Sequence, residues 1–297
     1  MFNDNLLICT ACGTQFDTSV RHILKNCRIC DDPRQFVPPA GQQFTTLAEM
    51  KGNYGTLMAP DQTNQNIISF WNAPKFAIGQ RAFLIKTPHG NVMWDLIAYL
   101  DDECIKRINK EGGIQAIVIS HPHYYTTHNV WAKIFNCPVY LAAEDKEWLC
   151  REDPQGRVFI EGKEKEIIKG VTAIKVGGHF PGSLVLHWED RLFIADSFVT
   201  VPSALYHEDR PPGTTTFSFM WSIPNMIPMP PQDIVNIWKA LKPYKFTTTH
   251  GAFTGLDVRD PRVKARLLES AKIAIRAMGY EESQFIRELS EEEELTQ

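Results

Sequence analysis

The stretch AIVISHPHYYTTHNVWAKIF, residues 116–135, limits the fold more than any other part of the chain. An apolar run ends abruptly in His121 and His123, and a helical pattern starts at about Asn129. Such a run, bounded by polar residues, reads as a buried strand opening onto a polar edge. Two histidines one residue apart at a strand end can direct two imidazoles to one metal ion. The arrangement recurs: His179 follows AIKVGG inside GGHFPGS, Asp196 follows RLFIA, and His250 follows KFTTT. Taken singly, each is more often a hydrogen-bonded structural residue. Together they are how a β scaffold gathers distant side chains around one ion.

The remaining elements fit a chain of many short strands and few helices. AFLIKTPHGNVMWD predicts two strands around a Pro-His-Gly turn, which makes His89 a turn residue. PVYLAA, EIIKGVTAIKV and SLVLHWEDRLFIADS predict further strands, the last turning at Glu189-Asp190. PPQDIVNIWKALKP predicts one helix, and DPRVKARLLESAKIAIRAMG another, with Asp260 as N-cap. Its apolar stripe is Val263, Leu267, Ala271, Ile275 and Met278. Residues 210–231 carry six prolines among large apolar residues, so this segment is expected to be a long loop over a binding site. Phe217, Phe219, Met220 and Trp221 would line an apolar, substrate-binding pocket there.

Cys9 with Cys12, and Cys27 with Cys30, form two CxxC pairs. Four thiolates at that spacing complete a closed tetrahedron around zinc, a structural site in a ribbon or knuckle. The expected organisation is therefore a zinc-ribbon-like segment over residues 1–40, a main domain over 41–288 and an acidic, disordered tail over 289–297. With four of seven cysteines paired in this way, a reducing compartment, the cytosol, is expected. The net charge of −4 offers no basic surface for nucleic acid, and no apolar run is long enough to span a membrane.

The order HxH, glycine-flanked histidine, strand-end aspartate and late histidine resembles the metallo-β-lactamase-fold superfamily over roughly residues 42–285. NVMWD, GGHFPGS and FIADS are similar to its early strand and to its third and fourth metal motifs. The resemblance implies an α+β fold, an αβ/βα sandwich of two mixed sheets flanked by helices, behind the N-terminal ribbon. It also implies a hydrolase that uses zinc-activated water on esters, thioesters, lactams or phosphodiesters. The HxHxDH motif of the superfamily would place Asp at 125 and His at 126, where this chain has Tyr125 and Thr126. The set so implied is one zinc held by His121, His123 and His179, with Asp196 as a fourth ligand or as partner to the bound water. His250 remains a further candidate, and His128 could rescue a second metal site if the loop bulges.

Asp196 is the expected base, and Tyr125 a candidate to stabilise the oxyanion or protonate the leaving group, with His250 beside them. The apolar loop favours a small substrate, a lactone or lactam, attacked at its carbonyl. Alternatives are a degenerate regulatory protein that uses the ribbon for nucleic-acid or protein contacts, and a nuclease on the same fold.

Overall fold

The computed structural model describes residues 3–152, 156–206, 211 and 213–290. Residues 291–297 of the acidic tail, and positions 210 and 212 of the proline-rich loop, lie outside these. Contacts divide the chain into two units, Met1–Gly162 with Glu166–Lys169, and Lys163–Lys165 with Gly170–Gln297. Among the described residues no helix is long and apolar enough to cross a membrane.

The first unit holds a seven-stranded mixed sheet. Gly55–Pro60, Ile67–Ala73, Ala82–Thr87 and Gly90–Trp94 pair antiparallel in chain order. Ala116–Val118, Val139–Ala142 and Arg157–Ile160 then add in parallel. The parallel half matters for the site because parallel neighbours end at the same edge. Gly90–Trp94 runs into Asp95 beside the point where Ala116–Val118 runs into Ser120 and His121. Both strands are buried along their apolar residues, which explains the runs VMW and AIV. Helix His128–Phe135 follows, ending at Asn136 in the left-handed conformation.

The four-cysteine segment falls within this first unit. Ile8 is fully buried in a cluster with Met50, Phe76, Ala98 and Tyr99. A forty-residue segment has little apolar surface of its own, so its core is completed by the sheet unit.

The second unit holds a six-stranded sheet in the order Glu164–Ile168, Val171–Lys175, Leu184–Trp188, Arg191–Phe193, Thr248–His250 and Asp257–Arg259. One pairing is parallel, Arg191–Phe193 with Thr248–His250, in the register Phe193 to His250. That register brings the segment leading to Asp196 alongside His250. Helices Pro231–Leu241 and Val263–Ala277 pack their apolar faces into one core with Ile174, Val185, Leu192 and Ile194. The expected stripe is confirmed in Val263, Leu267, Ala271 and Ile275, with Met278 partly buried. Asp260 is not the N-cap: the helix begins at Val263 after a turn in which the Asp260 side chain accepts from the Arg262 amide. The carboxylate thus shapes the approach to the helix.

The proline-rich loop is only partly irregular. Phe217–Ser218 pairs with Val199–Thr200, and Met220–Ser222 with Ile227–Pro228. Phe217 and Phe219 pack against Phe198 inside the core. Both are therefore core aromatics, packed more deeply than the sequence expectation of a loop over a binding site foresees. Met220 and Trp221 are half-buried.

Candidate metal centres

The four cysteines come together as expected, all buried. Cys9 Sγ lies 3.7 Å from Cys30 Sγ, and Cys12 Sγ 3.7 Å from Cys27 Sγ. A disulfide would need about 2.05 Å. Thiolates at about 2.3 Å from a tetrahedral zinc are separated by roughly 3.8 Å, so the cluster has the dimensions of a zinc site. The electrostatics agree. Hydrogen bonds from Cys12, Cys27 and Cys30 hold the Cys9 thiol far below its usual range against the opposing effect of burial. Cys12, bonded to Cys27 and buried, is pushed well up. Burial opposes charge on these thiols, and a divalent cation held by the four would supply the compensation.

In the first unit the histidine loop is set by backbone bonds. Asp95 Oδ1 accepts from the Ser120 amide at 2.7 Å, tying the ends of the two parallel strands together. Ser120 Oγ and His121 Nδ1 are 2.9 Å apart, which orients the imidazole and makes Nε2 the nitrogen suited to a metal. A single turn, Pro122–Tyr124, brings the His121 and His123 rings to a centroid distance of 5.2 Å. Both side chains are buried.

The remainder of the loop corrects two sequence expectations. Tyr125 is 1% exposed, and its hydroxyl donates to the Asp145 carbonyl at 3.1 Å. Burial pushes its pKa well up, and the phenol serves the loop as a structural donor. Tyr125→Phe is expected to keep turnover within about twofold and to cost roughly 1 kcal/mol of stability, read from initial rates and a urea midpoint. His128 is not positioned as a ligand. Its Nδ1 donates to the Tyr125 carbonyl at 2.8 Å, and its Nε2 accepts from Arg157 Nε at 3.1 Å. A ring with both nitrogens so used offers no lone pair to an ion.

Burial, reinforced by Arg157, lowers the His128 pKa from 6.5 to about 3. Between these values the unfolded chain binds a proton that the folded chain does not, so this group removes stability as pH falls through that window. Comparing His128→Gln with the parent at pH 7 and pH 5 isolates the effect. The parent should lose about 2 kcal/mol more than the variant over that interval, read as urea midpoints.

In the second unit GGHFPGS forms a tight loop. Gly177 and Gly178 both take left-handed φ, and a Cβ on Gly178 would collide with Met229 Sδ at 2.6 Å. Ser183 closes the loop, its hydroxyl accepting from the Phe180 amide at 2.9 Å. Ser197 Oγ donates to the Gly177 carbonyl at 2.6 Å, so the segment after Asp196 is tied to the loop that carries His179. His179 Nε2 then lies 3.8 Å from Asp196 Oδ2. His250 is fully buried, stacks on Phe193 at 4.8 Å, and has Nδ1 3.2 Å from Asp257 Oδ1. A carboxylate behind an imidazole is the usual orienting partner of a metal-binding or proton-transferring histidine.

Asp95, Ser120 and Asp257 were missed as site residues. NVMWD and the serine before HPH did carry a signal, a polar residue directly at each strand end. Asp257 had none, because its role depends on the pairing of His250 with Asp257 across two strands.

No family model matches the chain. It is 38% identical over 250 residues to the uncharacterized protein YmaE of Bacillus subtilis (strain 168), covering 83% of this chain and 88% of that protein. Among solved structures it is similar to the DIM-1 metallo-β-lactamase, with a TM-score of 0.54 and 14% identity over 74% of this chain and 98% of that one. VMB-1 gives a TM-score of 0.53 with 13% identity, over 74% and 98%.

Proposed function

We propose, from the premise that this chain belongs to the same family as YmaE of Bacillus subtilis and has the metallo-β-lactamase fold, that it is a zinc-dependent hydrolase. Its substrate on this reading is a small cyclic ester or amide, a lactone or lactam. The observation that carries the reading is a set of oriented imidazoles and a carboxylate at strand ends of that fold. His121 is set by Ser120, His179 stands by Asp196, and His250 is backed by Asp257. The reading takes His121, His123 and His179 as the ligands of one zinc, with Asp196 as partner to the bound water, an assignment resting on the order of these motifs in the sequence and on the fold.

Imidazole and carboxylate donors suit zinc, and three histidines leave a position for water or substrate. When bound, zinc supplies the Lewis acidity that makes water nucleophilic near neutral pH. The chain's own groups do the rest. Asp196 orients the water and takes its proton as it adds to the carbonyl carbon. The proton taken by Asp196 then passes to the leaving group, and His250, with Nδ1 toward Asp257, offers Nε2 to relay it. Ser120 and Asp95 fix the imidazole edge so that little reorganisation accompanies reaction. With the two phenylalanines buried, Met220 and Trp221 remain as the apolar residues that would meet the substrate. None of the seven cysteines is paired in a disulfide, and four gather as metal ligands, which suits the cytosol on this reading.

The test is turnover of a lactone and lactam panel by chelator-stripped protein, with zinc added back in steps. Activity is expected to return with the equivalent bound after the cysteine centre is filled. No turnover at any zinc level on any panel member would refute the hydrolase.

A further inference from the structure

The ribbon touches the histidine loop at one defined place. Within the first unit, the Gln15 amide donates to the Thr126 carbonyl at 3.1 Å. Gly13, at φ +82°, sits so close that a Cβ there would stand 3.0 Å from Ala98 Cβ and 3.7 Å from Thr126 Cγ2. Gly13, Thr14 and Gln15 form the turn directly after Cys12. That turn is closed by bonds from the Gly13 amide to the Cys9 carbonyl and from the Cys9 amide to the Thr14 carbonyl. From the other side, Arg151 donates to Gln15 Oε1 at 2.6 Å and to Asp17 Oδ1 at 3.1 Å.

Thr126 has φ +39°, a left-handed conformation that a β-branched residue adopts only where its surroundings impose it. It stands three residues after His123, past a turn closed by the Tyr124 amide on the His121 carbonyl and the Tyr125 amide on the Pro122 carbonyl. On the other flank, Thr127 Oγ1 donates to the Ala98 carbonyl at 2.9 Å. At the position where the two-metal motif would carry a metal-binding histidine, this chain carries a threonine pinned to the ribbon.

We infer that the four-cysteine knuckle is a positioning device for the histidine loop, holding Thr126 through Gly13 and Gln15 and thereby the turn that presents His121 and His123. The inference rests on the reading of those histidines as metal ligands. Its consequence is that the two metal centres are energetically coupled: filling the cysteine centre orders the loop that receives the second ion.

The test uses the full chain in three forms, parent, Cys27→Ser and Arg151→Ala. Two readouts are taken, amide exchange over residues 121–127 and Co²⁺ affinity of the histidine centre, resolved from the cysteine centre by its lack of thiolate charge-transfer absorption. Arg151→Ala should keep the cysteine-bound metal, speed exchange over 121–127, and weaken Co²⁺ at the histidines by roughly 10- to 100-fold. Cys27→Ser should lose one metal and speed exchange over the same residues, while amides of Leu184–Trp188 stay protected. Unchanged exchange over 121–127 in Cys27→Ser protein that has lost its metal would overturn the inference. If that variant does not fold, unchanged exchange and affinity in Arg151→Ala would overturn it equally. A parent that takes no Co²⁺ at the histidines would sink the hydrolase reading alone, since the exchange arm still decides the coupling.

Discussion

His121→Ala is expected to abolish hydrolysis while the fold persists. His121 is buried at the end of Ala116–Val118, where its imidazole is held by Ser120 and lies over the Tyr124 ring at 4.4 Å. Truncation removes a ring at the sheet edge and leaves the strand pairing and the Asp95 bond to the Ser120 amide intact. The stability cost should therefore stay at roughly 1–3 kcal/mol. The chemical cost is far larger, because one imidazole in three holds the ion in an open site. A fall of at least about 10³-fold in kcat/KM, roughly 4 kcal/mol of transition-state stabilisation, is expected. Initial rates and a far-ultraviolet spectrum check both halves. Parent-like turnover in the variant would remove His121 from the site.

Cys27→Ser is expected to cost about one zinc per chain and a large part of the first unit's stability. Structural zinc contributes on the order of 10 kcal/mol of apparent binding free energy to the fold that holds it. The effect should not stop at residue 40. Ile8 shares its cluster with Met50, Phe76, Ala98 and Tyr99, and Arg151 bonds to Asp17, so loosening the ribbon exposes apolar surface of the sheet unit. Zinc content by elemental analysis together with a thermal denaturation curve reads the outcome. Unchanged metal content would count decisively against the cysteine centre.

The local elements of both sheets were legible because each depends on neighbours in sequence. Strands Ala82–Thr87 and Gly90–Trp94 with the turn at His89, helix Pro231–Leu241, and the two CxxC knuckles follow from periodicity, turn residues and spacing alone. The misreadings fall where the decisive contact is distant. Tyr125 and His128 look like chemistry beside HPH, but Asp145 and Arg157, 20 and 29 residues away, make them structural. Phe217 and Phe219 look like a lid until the core cluster with Phe198 and Trp238 claims them. The packing of Ile8 against Met50, Phe76, Ala98 and Tyr99 was likewise illegible, because composition carries no signal of it.

Anomalous scattering at the zinc edge, recorded on crystals of the purified protein, tests the central claim most directly. One peak is expected among Cys9, Cys12, Cys27 and Cys30, and one more at the histidines, on the proposed reading that His121, His123 and His179 hold one zinc. Two peaks about 3.5–4 Å apart at the histidines would show a two-metal hydrolase in place of the single zinc assigned to them. A map with the cysteine peak and none at the histidines would contradict the account.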